Sequence, residues 1–188
     1  MKLSEHKELK KEILALPIKE KDKILLRLVA KDKVLTEHLH FLLLEDESDL
    51  SDRINAIKSE ILSNFDNLSI AKSIDAKDAL ANLRRLSKDV NHNFRVTKAI
   101  FEDVELRIFL YNHTPLKVKF GTYSSYKNYT ELFNVYFVKS VLVTLRKFYK
   151  LHEDLQFDLK DEMNKLLSKI ADSNMASIAG DLNLPRQL

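Results

Sequence analysis

The chain of 188 residues has no cysteine, no tryptophan, two glycines and three prolines. Without cysteine there is no disulfide framework, no thiolate metal ligand and no thiol nucleophile, a composition that suits a reducing compartment. Gly121 and Gly180 cannot build a phosphate-cradling loop, a dinucleotide-binding turn or a nucleophile elbow. So few glycines also leave little material for the positive-φ turns of hairpin-rich sheets. The start, MKLSEHKELKKEIL, alternates charges where a secretory signal would carry an apolar stretch. The most apolar later run, Val135 to Leu145, is interrupted by Lys139. A cytoplasmic protein with no membrane-embedded part is expected.

What is present is helical patterning. Apolar residues make up 45% and charged residues 31%, enough to bury one side of each element and hydrate the other. A first helix over residues 4–15 runs into Pro17, whose predecessor is biased away from helix. Two short helices come next, one with Ile24, Leu25, Leu28 and Val29, the other with Val34, Leu35, Leu39, Leu42 and Leu43 and with Asp32 as its N-cap. Ser48 or Ser51 can cap a fourth, whose face is Leu50, Ile54, Ile57, Ile61 and Phe65.

From Asp75 an apolar frame passes through Leu80, Leu83, Leu86, Val90, Phe94, Phe101, Val104, Ile108 and Tyr111, which predicts one long helix with a kink at Asn91-His92-Asn93. Pro115 ends it. Residues 116–129 read as a connector with a brief strand-like alternation at Leu116, Val118 and Phe120. Asn128 and Glu131 then open a helix with Phe133, Phe137, Val141, Leu145 and Phe148 inward. Whether His152-Glu153-Asp154 interrupts the frame before Leu155, Leu159, Met163, Leu166 and Ile170 is left open by the pattern, and the tail after Asp172 is expected to fray. The expected fold is an all-α bundle, with short, repeat-like N-terminal helices (1–68) packed on a long antiparallel helical hairpin (69–188). One continuous unit over 1–175 is the alternative division.

Net charge is only +3, yet it is unevenly spread: Arg84 to Lys150 holds 13 Lys/Arg against 5 Asp/Glu. Arg84, Lys88, His92 and Arg95 recur at helical spacing, with Arg85 and Lys98 beside them, on a face turned away from the Leu83, Leu86, Val90, Phe94 stripe. Lys139, Arg146, Lys147 and Lys150 supply a second basic set. All six tyrosines lie between 111 and 149, and Tyr123, Tyr126 and Tyr129 alternate with small polar residues in the connector. Such a face suits an anionic partner, with tyrosines as anchors for a protein or as platforms for unpaired bases. The plainer reading is a set of solvated charges and of rings folded over the bundle.

Two Glu/Asp-x-x-His pairs, Glu37 with His40 and Asp89 with His92, lack the further ligands that a metal centre needs, so no metal and no cofactor is expected. Arg85 with His92, and Arg107 with His113, have the loose spacing of some helical ribonucleases, but Arg107 can equally pair with Asp103 one turn earlier. No catalytic residue is assigned. The reading favours a non-enzymatic helical interaction module with a protein partner, and an RNA- or DNA-binding protein, a ribonuclease included, is the alternative.

Overall fold

The computed structural model describes residues 5–70, 74–119 and 128–188. Helices are α1 (Lys7–Ala15), α2 (Ile18–Val29), α3 (Lys33–Leu44), α4 (Glu47–Ile70), α5 (Ala76–Thr97), α6 (Ile100–His113), α7 (Tyr129–Phe148), α8 (Glu153–Ala171) and α9 (Ala176–Asp181). The fold is all-α, and the described residues add only two-residue strands, β1 (Ile74–Asp75) and β2 (Val118–Lys119), paired in parallel with Ile74 opposite Val118. No helix among the described residues is long and apolar enough to cross a membrane. The chain divides into two compact units, Met1–Glu45 and Asp46–Leu188, with α4 in the second.

Local chemistry sets most helix starts. The Asp32 carboxylate accepts from the amides of Val34 and Leu35 at 2.9 and 3.1 Å, Asp75 accepts from Lys77 at 2.7 Å, and Asn128 accepts from Glu131 at 3.1 Å. Each satisfies amide donors that a first turn leaves unpaired. At α4 the cap is Asp46 rather than either serine: its Oδ1 accepts from the amides of Ser48 and Asp49, and the Ser48 hydroxyl donates to it as well. These donors hold the Asp46 carboxyl below the usual carboxylate range.

The long helix expected from Asp75 to Tyr111 is instead two. Lys98 adopts the left-handed conformation (φ 58°), its amide bonded to the Phe94 carbonyl, and α6 starts two residues later. That corner is an ordinary αL helix end occupied by lysine in place of glycine. With the chain reversed there, α6 packs back on α5. The expected long hairpin becomes a three-way arrangement: Arg84 lies over the Tyr136 ring and Lys147 over the Phe94 ring, pairs that advance together, so α5 and α7 run parallel. α6 is antiparallel to α7, with Asp103 meeting Lys147 near one end and Tyr111 edge-on to Phe137 near the other.

The core of the second unit includes Ile61, Leu83, Val104, Leu106, Leu110, Phe133, Phe137, Val141, Met163 and Leu166, all essentially inaccessible to water. After Tyr149–Leu151 the chain restarts at α8, where His152 Nδ1 accepts weakly from the Asp154 amide at 3.4 Å. The tail packs instead of fraying: Met175, Ala179 and Leu184 join the core, and the Leu188 amide donates to Asn164.

The end of α6 is closed by Lys169 of α8, whose ammonium donates to the carbonyls of Thr114, Asn112 and Tyr111 at 2.6, 2.7 and 3.1 Å. A cation is favoured at a helix C-terminus. Burial, and then the nearby Lys165, nevertheless pull the pKa of this ammonium down to about 8. The Lys169→Met substitution should therefore lower stability at neutral pH by about 1–3 kcal/mol, because three carbonyls lose their donor. Since the folded-state pKa lies below the unfolded value of about 10.4, the unfolded chain binds more protons between these values, and the lysine's contribution rises with pH across that window. Urea titrations of wild type and variant at a series of pH values should show the stability difference growing from about pH 8 to about pH 10. A difference that falls over that range would contradict this assignment.

Candidate functional site

The basic residues separate into inward and outward sets. At the centre of the inward set is Asp103, in the first turn of α6, with its side chain wholly buried. Its Oδ1 accepts from Arg107 Nε at 2.9 Å and its Oδ2 from Lys147 Nζ at 2.6 Å. Arg107, itself buried, also donates to Asn91 Oδ1 on α5. Burial disfavours the charged guanidinium, but the hydrogen bond and the charge of Asp103 outweigh it and raise the Arg107 pKa above its ordinary value. Lys147 completes the tie by lying 4.6 Å from the Phe94 ring centroid. One carboxylate thus joins α6 to α7 directly and reaches α5 through Arg107, of which the sequence predicted only the pairing of Arg107 with Asp103 one turn earlier.

Arg85 is also engaged. It donates to Glu60 at 2.6 Å and to Asn64 at 2.7 Å, both on α4, and reaches Asp89 at 3.5 Å. Although it neighbours Arg84 in sequence, it turns to α4 while Arg84 turns to α7, as a step of about 100° requires. Both groups of the Lys58–Glu105 pair, 2.7 Å apart, are similarly committed between α4 and α6.

The outward set consists of Arg84, Lys88, His92, Arg95 and Lys98 from the α5 region and Lys139, Arg146 and Lys150 from the α7 region, all exposed. None of these lysines and arginines has an acidic partner within 4 Å among the described residues; His92 makes an interaction of its own. Lys98 sits at the left-handed corner and so leaves the helical phase of the others. The contact that relates the two sets is Arg84 over Tyr136, 5.2 Å from the ring centroid. At 100° per residue Lys139 lies about 60° from Tyr136 around α7, Lys150 follows just past the end of that helix, and Lys88 and Arg95 lie within about 40° of Arg84 around α5. The seam between parallel α5 and α7 is therefore flanked by cations from both. Tyr136 entered the sequence reading only as one of six tyrosines; its i+7 relation to Tyr129 was the available signal.

Tyr129 is partly buried against the core, and Tyr123 and Tyr126 lie outside the described residues. His40 Nδ1 meets Glu45 at 2.8 Å, Lys33 approaches Glu37 at 3.7 Å, and Asp89 faces Arg85. Among the described residues no three His, Asp or Glu side chains gather in a metal-binding group. Exposed His113 stacks on Phe109 and bonds its carbonyl, whereas Arg107 is buried on Asp103. A small pocket of about 90 Å³ near the C-terminus is lined by Leu167, Ala171, Ala179 and Leu184. It falls well below the roughly 300 Å³ at which small-molecule sites begin.

No family model matches the chain, and no curated protein or solved structure matches it either.

Replacing Asp103 by alanine removes the carboxylate that buried Arg107 meets and should lower stability by about 3–5 kcal/mol. Lys147→Met should cost less, because that ammonium keeps partial access to water. Denaturant midpoints of the two variants check the order, and an Asp103→Ala variant as stable as wild type would refute the assignment.

Proposed function

We propose that the protein is a non-enzymatic helical interaction module whose α5–α7 seam receives an acidic surface of a protein partner. The observation that carries this reading is the exposed set of cations with no acidic group within 4 Å among the described residues, Arg84, Lys88 and Arg95 from α5 and Lys139, Arg146 and Lys150 from the α7 region, with Tyr136 in contact with Arg84 between the two helices. Unneutralised cations attract an anionic partner over several ångströms and accelerate encounter, while an aromatic ring at the seam supplies apolar area for docking. The sequence places Tyr123 and Tyr126 a few residues ahead of α7, from where they would extend the recognition surface. The cysteine-free composition supports a cytoplasmic setting.

Nucleic acid is the second reading, favoured by the same cations. Charge weighs against it: residues 46–188 hold 21 Lys/Arg against 20 Asp/Glu, whereas nucleic-acid-binding domains are usually basic as a whole. Fluorescence anisotropy with a labelled polyglutamate peptide, a single-stranded RNA and a DNA duplex separates the two. The peptide should bind at low salt and lose binding in the Arg84→Glu/Lys88→Glu/Lys139→Glu variant. RNA or DNA binding that falls with a log–log salt slope of about −0.7 to −0.9 per phosphate contact, without peptide binding, would replace the first reading by the second. Failure of every probe at low salt would remove both.

A further inference from the structure

We infer that the N-terminal unit is a self-association element, completed by the same unit of a second copy of the chain. The inference concerns α1–α3 and is independent of the basic seam. No residue from 5 to 45 is buried, and none of the three helices contributes to the core. Among the described residues, ten of the sixteen exposed large hydrophobic side chains belong to this unit, including Ile18, Leu26, Leu28, Leu42, Leu43 and Leu44. Helices of 9, 12 and 12 residues are marginal in water without tertiary support, because nucleation is costly and packing supplies most helical stability. The last turn of α3, Phe41-Leu42-Leu43-Leu44, is apolar on every side, the pattern of a helix enclosed by neighbours.

Area and charge identify the occupant. From their fractional exposures, the ten residues present on the order of 1,000 Å² of surface per copy, so complete burial in a pair would remove at most about 2,000 Å², and most of it would have to be covered to reach the roughly 1,600 Å² of a standard stable interface. The polar faces are of mixed sign: residues 5–45 carry nine Lys/Arg and eight Asp/Glu, alternating along Lys19, Glu20, Lys21, Asp22 and Lys23. A near-neutral, interleaved surface neither repels its own copy nor attracts a strongly charged one. It lacks the cationic excess with which interfacial helices hold anionic lipid. A second copy supplies both apolar area and charges of each sign, in the self-complementary manner of a two-fold interface.

Sedimentation equilibrium of the full chain from about 1 to 100 μM tests this. The expected result is a species of twice 21.9 kDa, with association weakened about 100-fold or more in the Leu28→Glu/Leu42→Glu/Leu43→Glu variant, which shifts it toward monomer. The denaturant midpoint of the second unit shows whether that variant keeps its core. As a measurement free of mutation, hydrogen exchange of the α2 and α3 amides in the wild type should slow as concentration rises. A monomer throughout the range, a dimer unmoved by the triple variant, or α2–α3 protection independent of concentration would each overturn the inference. So would capture of a monomer by anionic vesicles through the same leucines.

Discussion

The second unit depends on keeping one ionised carboxylate out of water. A buried Asp103 is tolerable only if cations and hydrogen-bond donors meet it, since an isolated charge in a protein interior is costly by several kcal/mol. Arg107 arrives from one turn along α6, Lys147 from α7, and Asn91 of α5 takes the far side of the guanidinium. This arrangement restricts how the three helices can rotate, because turning any one of them would strip a partner from a buried charge. It also decides which cations remain outside. With Lys147 turned in, the α7 cations left to solvent are Lys139 and Arg146, with Lys150 just beyond the helix.

The all-α class and most helix starts were legible because they are written locally. Asp32, Asp75 and Asn128 cap the helices they precede, and the α4 stripe ending at Ile61 and Phe65 is buried as its spacing requires. The break at Lys98 was not legible. The run Val96-Thr97-Lys98-Ala99 contains neither glycine nor proline, and the apolar frame remains nearly in phase across it, so only tertiary packing reveals the left-handed residue. The C-terminal tail misled for the opposite reason. Its small residues resemble a frayed end, yet Met175, Ala179 and Leu184 fit the space left beside α7 and α8.

The candidate face was legible as a phase and not as a set of partners. Spacing put Arg84, Lys88 and Arg95 on one exposed side of α5, where they are. Spacing could not show that Arg85 is neutralised by Glu60, since that pairing joins positions on different helices. Nor could it single out Tyr136, whose place at the seam comes from α5 and α7 running parallel. The N-terminal unit is the complementary case: its leucines read as core-forming at the level of sequence, and none of those in α2 and α3 is buried. Core in the second unit comes from packing within one chain, and the first unit has the composition for a core without the surroundings for one.

The central claim is that Asp103 and Lys147 act as one unit in joining α6 to α7. A double-mutant cycle between Asp103→Ala and Lys147→Met, read by urea unfolding, measures it directly. A coupling energy of about 1–3 kcal/mol is the predicted result. Additivity of the two substitutions to within about 0.3 kcal/mol would show the pair to be energetically independent and would contradict the account.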